Sequence, residues 1–132
     1  MAKAKDIMSK NVLAVMKDTD IYEAIRIMVA NNITGLPVID QDSFLAGVVT
    51  EKDVLTLLYN IEDKPGRVAE YMTPDVVAFE QDEDLVTVGE SLCRNHFRRV
   101  PILSAGKLVG IISRKDVIRH IKTQRVNVRA SV

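Results

Sequence analysis

Two hydroxyl residues stand three places ahead of an aspartate in matching surroundings. Thr50 precedes Asp53 in Gly47-Val48-Val49-Thr50-Glu51-Lys52-Asp53, and Ser113 precedes Asp116 in Gly110-Ile111-Ile112-Ser113-Arg114-Lys115-Asp116. A carboxylate only accepts hydrogen bonds, through two oxygens, so such a pair can take both hydroxyls of a cis-diol such as a ribose. The same spacing also closes a helix N-terminus. The hydroxyl accepts from the N–H three residues on, and the carboxylate sits in the first turn, where the macrodipole favours an anion. One copy of the stretch says no more than capping; two copies in one chain favour the polyol reading.

Other chemistry-bearing residues are sparse. Arg98-Arg99 is either a solvated basic pair at a strand start or an anion contact. Cys93 falls on the apolar face of its helix and reads as a small core residue rather than a nucleophile. His96 lies near Cys93, but the other histidine is the distant His120, too few ligands at the spacing a metal site needs. Met8, Met16, Met28 and Met72 read as packing residues. No Ser-His-Asp order, paired catalytic carboxylates or phosphate loop accompanies them, so the residues do not describe an enzyme.

The duplication extends well beyond the two stretches. Met8 matches Met72, Ala14 matches Ala78, Asp18 and Asp20 match Asp82 and Asp84, Asn31 matches Asn95, and Pro37 matches Pro101. The register slips by a residue between Pro37 and Gly47, where Asp40-Gln41-Asp42-Ser43-Phe44 is longer than its counterpart around Ser104-Ala105-Gly106, as a turn tolerates. Each half reads β-α-β-β-α. Val12-Leu13-Ala14-Val15 and Val76-Val77-Ala78-Phe79 are apolar strand candidates. Ile21, Ala24, Ile25, Met28 and Val29 form one helical face, repeated by Leu85, Val88, Gly89, Leu92 and Cys93. Leu36-Pro37-Val38-Ile39 and Val100-Pro101-Ile102-Leu103 follow as strands, each joined by a hairpin to the strand ahead of the hydroxyl. Second helices are expected at 51–59 and 114–121, and short helical turns at 5–8 and 69–72. The connector is 60–67, with Asp63, Pro65 and Gly66.

The fold class expected is mixed α/β (α+β): two β-α-β-β-α repeats related by a pseudo-twofold axis. The first repeat spans 1–62, the second 63–122, and a tail 123–132, in which Arg125, Val126, Val128 and Arg129 alternate, is either frayed or an extended arm. A half of about 60 residues does not easily sustain a core, so the two are expected to share one in a single compact module. With 132 residues, 47% of them hydrophobic, the whole chain can do so. Eighteen basic residues balance eighteen acidic ones, which argues against wrapping nucleic acid or lying on an acidic membrane. No apolar run reaches the roughly 20 residues of a membrane span, the first residues lack a signal peptide's apolar stretch, and a lone cysteine fits a reducing compartment. A cytoplasmic location is expected.

The paired Gly-h-h-[Thr/Ser]-x-x-Asp stretches, the Pro37 and Pro101 strands and the twofold element order resemble a tandem pair of CBS domains, a Bateman module. The resemblance covers 5–121. It implies clefts that bind adenosine-containing ligands such as AMP, ADP, ATP or S-adenosylmethionine, and a regulatory role. By resemblance, Ser113 and Asp116 hold the ribose in one cleft, with the adenine against Val12, Leu13 and Ile33 of the opposite half. Thr50 and Asp53 do so in the other, lined by Val76, Val77 and Phe97. Arg99, with Arg98 beside it, holds the position where phosphate-binding members carry a basic residue; the counterpart in the first half is Gly35. The resemblance further implies a homodimer and an unidentified regulated protein, with an adenine nucleotide as regulatory ligand and no obligatory cofactor. The alternative is a ligand-free structural or oligomerisation module.

Overall fold

The computed structural model describes residues 1–59 and 66–130, the last five by backbone alone. Most of the connector expected at 60–67 therefore lies outside the described residues. The elements run α1 (Ala4–Ile7), β1 (Val15–Met16), α2 (Ile21–Asn31), β2 (Gly35–Ile39), β3 (Leu45–Thr50), α3 (Glu51–Val54), a 3-10 turn (Leu55–Leu58), a second 3-10 turn (Val68–Glu70), β4 (Phe79–Glu80), α4 (Leu85–Arg94), β5 (Arg99–Ser104), β6 (Lys107–Ser113) and α5 (Arg114–Ala130). Two three-stranded sheets result, ordered β1-β2-β3 and β4-β5-β6. In each, the first pair is parallel and the second an antiparallel hairpin. The repeated β-α-β-β-α order is thus present in an α+β fold.

The first strands are shorter than their apolar runs suggest. Val15 pairs with Val38 and Phe79 with Ile102, so the next partners would be Pro37 for Ala14 and Pro101 for Ala78. Proline has no N–H to carry a ladder further, and both prolines stand in the middle strand of their sheet. The ladder stops there.

Asp20 caps α2 by accepting from the Tyr22 N–H at 2.8 Å, and Asp84 caps α4 by accepting from the Val86 N–H at 3.0 Å. Asn32, left-handed at φ 50°, ends α2. Ile21, Ala24 and Met28 of α2 and Leu85, Val88 and Leu92 of α4 are buried. Val29 and Cys93, at the last positions of the expected faces, are exposed, so Cys93 is not the core residue its spacing suggests. A straight helix turns that far position away from the sheet.

The chain divides into two compact units: Leu13–Val76, and Met1–Val12 with Val77–Val132. Each has its own apolar cluster where one shared core was expected. Val15, Ile21, Ala24, Met28, Leu36, Val38, Val49, Leu57 and Val68 form the first; Ala4, Leu85, Val88, Leu92, Val100, Ile102 and Ile112 form the second. Removing a side chain such as Ile21 or Ile102 from water contributes about 1.5–3 kcal/mol.

The clusters show that the leading turns are exchanged between repeats. Ala4 of α1 is buried with the second repeat, where its N–H donates to the Glu83 carbonyl at 2.9 Å. Val68 is buried with the first repeat, its N–H donating to the Thr19 carbonyl at 2.8 Å. The 60-residue halves solve their shortage of core by borrowing a turn each. The tail differs as well: α5 continues to Ala130 with neither a glycine nor a proline to stop it, and Lys, Gln and Arg favour the helix over the extended arm read from alternation.

Candidate functional site

In the second repeat, β6 ends at Ser113 and α5 begins at the next residue. The Ser113 N–H donates to Asp116 Oδ2 at 2.8 Å, and the Asp116 N–H donates to Ser113 Oγ at 3.2 Å. This reciprocal pair fixes both side chains at the head of a 17-residue helix. Arg99 is the cross-strand partner of Ser113, and the Arg98 carbonyl accepts from the Arg114 N–H at 2.9 Å. Both arginines are exposed. Strand pairing therefore sets Arg99 opposite Ser113, with Arg98 next to it along the chain. Arg119, not anticipated, donates to Asp116 Oδ1 at 3.1 Å; its side chain is 73% exposed, while that of Asp116 is 17% exposed.

The first repeat builds the same backbone with different side chains. Thr50 pairs with Gly35, and the Thr34 carbonyl accepts from the Glu51 N–H at 3.0 Å. Asp53 Oδ2 accepts from the Thr50 N–H at 2.9 Å and from the Thr50 hydroxyl at 3.0 Å. Asp53 Oδ1 accepts from the Thr73 hydroxyl at 3.2 Å, a contact that sequence reading missed. The position held by Arg99 in the second repeat carries no side chain here.

The glycine that opens each stretch also has a local reason. The leading segment of the other repeat lies across it: Thr73 exchanges both backbone hydrogen bonds with Val48, at 2.9 and 2.8 Å, and Ser9 does the same with Ile111, at 2.9 and 3.0 Å. A Cβ at Gly47 would stand 2.7 Å from the Thr73 carbonyl oxygen, and one at Gly110 would meet the Met8 side chain, with Cγ at 2.8 Å.

The apolar residues expected to line clefts fall on both units. Leu13, Ile33 and Val76 belong to the first, Val12, Val77 and Phe97 to the second. Ile33 and Phe97 lie against their own clusters. Leu13 and Val77, equivalent in the two repeats, are 46% and 43% exposed. Among the described residues, no three His, Cys, Asp or Glu side chains are placed to hold a metal ion, and no helix is long and apolar enough to cross a membrane.

The family model of the CBS domain matches residues 4–60 and 68–123. The chain is 36% identical over 121 residues to inosine-5'-monophosphate dehydrogenase of Methanocaldococcus jannaschii, covering 91% of this chain and 24% of that enzyme. It spans less than half the length of such curated relatives. The crystal structure of CBSX2 in complex with AMP, a CBS-pair protein of Arabidopsis thaliana, is similar at 29% identity with a TM-score of 0.85, covering 95% of this chain and 99% of that one. The CBS domain pair of protein MJ0100, in complex with 5-methylthioadenosine and S-adenosyl-L-methionine, is similar at 27% identity with a TM-score of 0.76, covering 93% and 98%.

Proposed function

Because the chain belongs to the CBS domain family, with two copies in tandem, we propose that it is a regulatory, non-catalytic module that binds adenosine-containing ligands and reports their presence to a partner protein. The observation that carries the reading is the second-repeat cluster: Asp116 held by the Ser113 N–H, with Arg99 in register opposite Ser113. Carboxylate and hydroxyl suit the two ribose hydroxyls, and the arginines suit a phosphate, which a guanidinium binds by charge-assisted, bidentate contacts. The same arginines disfavour the sulfonium of S-adenosylmethionine, so AMP, ADP or ATP is the preferred class. Exposed Leu13 and Val77, at equivalent places, supply apolar surface for adenine.

The proposal includes a homodimer and a cytoplasmic location. Its regulatory effect is bounded by the ligand's preference for one state of the module over another, and the partner's effect on ligand affinity must be equal and reciprocal. The alternative of a ligand-free structural module is favoured by one feature, the internal satisfaction of Asp53 in the first repeat.

A thermal-shift panel of AMP, ADP, ATP, S-adenosylmethionine and guanosine nucleotides separates the readings. A ligand that binds only the folded state at a hundredfold excess over its Kd contributes about 2.7 kcal/mol. At least one adenine nucleotide is expected to raise the melting temperature, and guanosine nucleotides less. No shift with any adenosine compound at millimolar concentration leaves the structural module standing.

A further inference from the structure

Thr73 and Ser9 occupy equivalent places. Each follows the methionine of its repeat's leading segment, and each is pinned by a pair of backbone hydrogen bonds across the glycine of the hydroxyl–aspartate stretch. Their side chains differ in what they do. The Thr73 hydroxyl donates to Asp53 Oδ1 at 3.2 Å, whereas Asp116 Oδ1 receives Arg119 instead, and among the described residues Ser9 makes no such bond.

We infer that Thr73 is a built-in occupant of the Asp53 carboxylate, standing where a ligand hydroxyl would bind and making the first-repeat pair the weaker diol site. The inference rests on the ribose reading proposed above and assigns Thr73 a specificity role within it. Asp53 has both oxygens engaged inside the same unit: Oδ2 by the Thr50 N–H and hydroxyl, Oδ1 by Thr73. An incoming diol must displace a hydroxyl that is already tethered at hydrogen-bonding distance. Thr73 has one short side-chain torsion, and its backbone is held on both sides of the peptide, so it competes as a high local concentration of hydroxyl.

Arg119 is a different kind of occupant at Asp116. It reaches the carboxylate on a long, largely exposed stem, an exposed ion pair of this kind is worth little, and its guanidinium can turn to a phosphate without leaving the site. At the first repeat Gly35 stands where Arg99 stands in the second, so no arginine at that position offsets the competition.

The test titrates adenosine, which needs no arginine, into chains whose second-repeat pair is disabled by Asp116→Ala. Adding Thr73→Val is expected to tighten adenosine binding by roughly ten- to a hundredfold, the worth of a hydrogen bond to a charged group. Thr73→Ser, which keeps the hydroxyl, should leave binding as it was, and Asp53→Ala on top of Thr73→Val should abolish the gain. Thr73→Ala serves as a second form of the deletion, and melting curves establish that each variant is folded. Unchanged or weaker binding in both folded hydroxyl-deleted variants overturns the role of Thr73 while leaving the ribose reading intact. Failure of the wild-type chain to bind AMP or adenosine removes the reading and this inference together.

Discussion

In the proposed site Asp116 and Arg99 would divide the work of recognising a nucleotide in a way that calorimetry can separate. Replacing Asp116 with Ala removes the acceptor for two ligand hydroxyls and is expected to abolish the tighter nucleotide site. Arg99→Ala is expected to retain adenosine binding and to weaken AMP by about 1.5 to 3 kcal/mol, the range for a hydrogen bond involving a charged group. If Asp53→Ala removes the tight site while Asp116→Ala spares it, the assignment of the principal pair is reversed. The spacing of Thr50, Asp53, Ser113 and Asp116 was legible because hydroxyl and carboxylate lie three residues apart and bond locally. Arg99 was grouped with Ser113 through the family resemblance alone; their pairing across the hairpin comes from the structure. Thr73 on Asp53 was not legible, since the contact joins residues 20 apart through a segment crossing the sheet. Arg119 could have been found, as a basic residue three places after an aspartate on one helix face.

At the scale of elements, the exchanged leading turns are what sequence order hid. Repeat periodicity locates α1 and the Val68–Glu70 turn, but it cannot say which repeat each one packs on; burial of Ala4 and Val68 does. The two crossings differ in hardness, which predicts a difference in stability. At Gly47 an added Cβ meets the backbone carbonyl of Thr73, a residue held by two backbone hydrogen bonds to Val48, while at Gly110 it meets the flexible side chain of Met8. Gly47→Ala is therefore expected to cost about 1–3 kcal/mol in urea denaturation, and Gly110→Ala less. The opposite order would mean that the Thr73 segment yields more easily than its hydrogen bonds imply.

The Lys5 ammonium, 2.8 Å from Asp82, ties α1 to the second repeat. It holds the Asp82 carboxyl below its ordinary value of 3.8, chiefly through the hydrogen bond, and Asp82 in turn raises Lys5 above 10.5. A depressed carboxylate contributes stability that is present above its unfolded value and lost as pH falls through the folded one. Asp82→Asn should therefore lower the urea midpoint at pH 7, with the gap to wild type closing below about pH 4. Both groups are exposed, so added salt should shrink the effect. A gap that persists undiminished at pH 2 would trace it to something other than the ion pair.

At the scale of the whole molecule, the second helical segment of each repeat has an apolar face that its own unit does not use. Leu57 is buried in the first cluster, yet Leu55, Leu58 and Tyr59 around it are exposed, Leu58 by 78%. Val117 packs on the second cluster, while Ile118 and Ile121 on the same helix are each more than 60% exposed. Scattered apolar residues on a surface need no explanation, but the same bias on equivalent segments of both repeats marks, on each unit, a surface that association would cover. Light scattering at micromolar concentration is expected to give twice the 14.7 kDa chain mass. Leu58→Asp combined with Ile118→Asp should shift the mass to that of one chain without changing the circular dichroism of the fold, because neither side chain belongs to a buried cluster. A wild-type chain that stays at 14.7 kDa rejects the dimer. A dimer that survives both aspartates would show that copies associate through some other face.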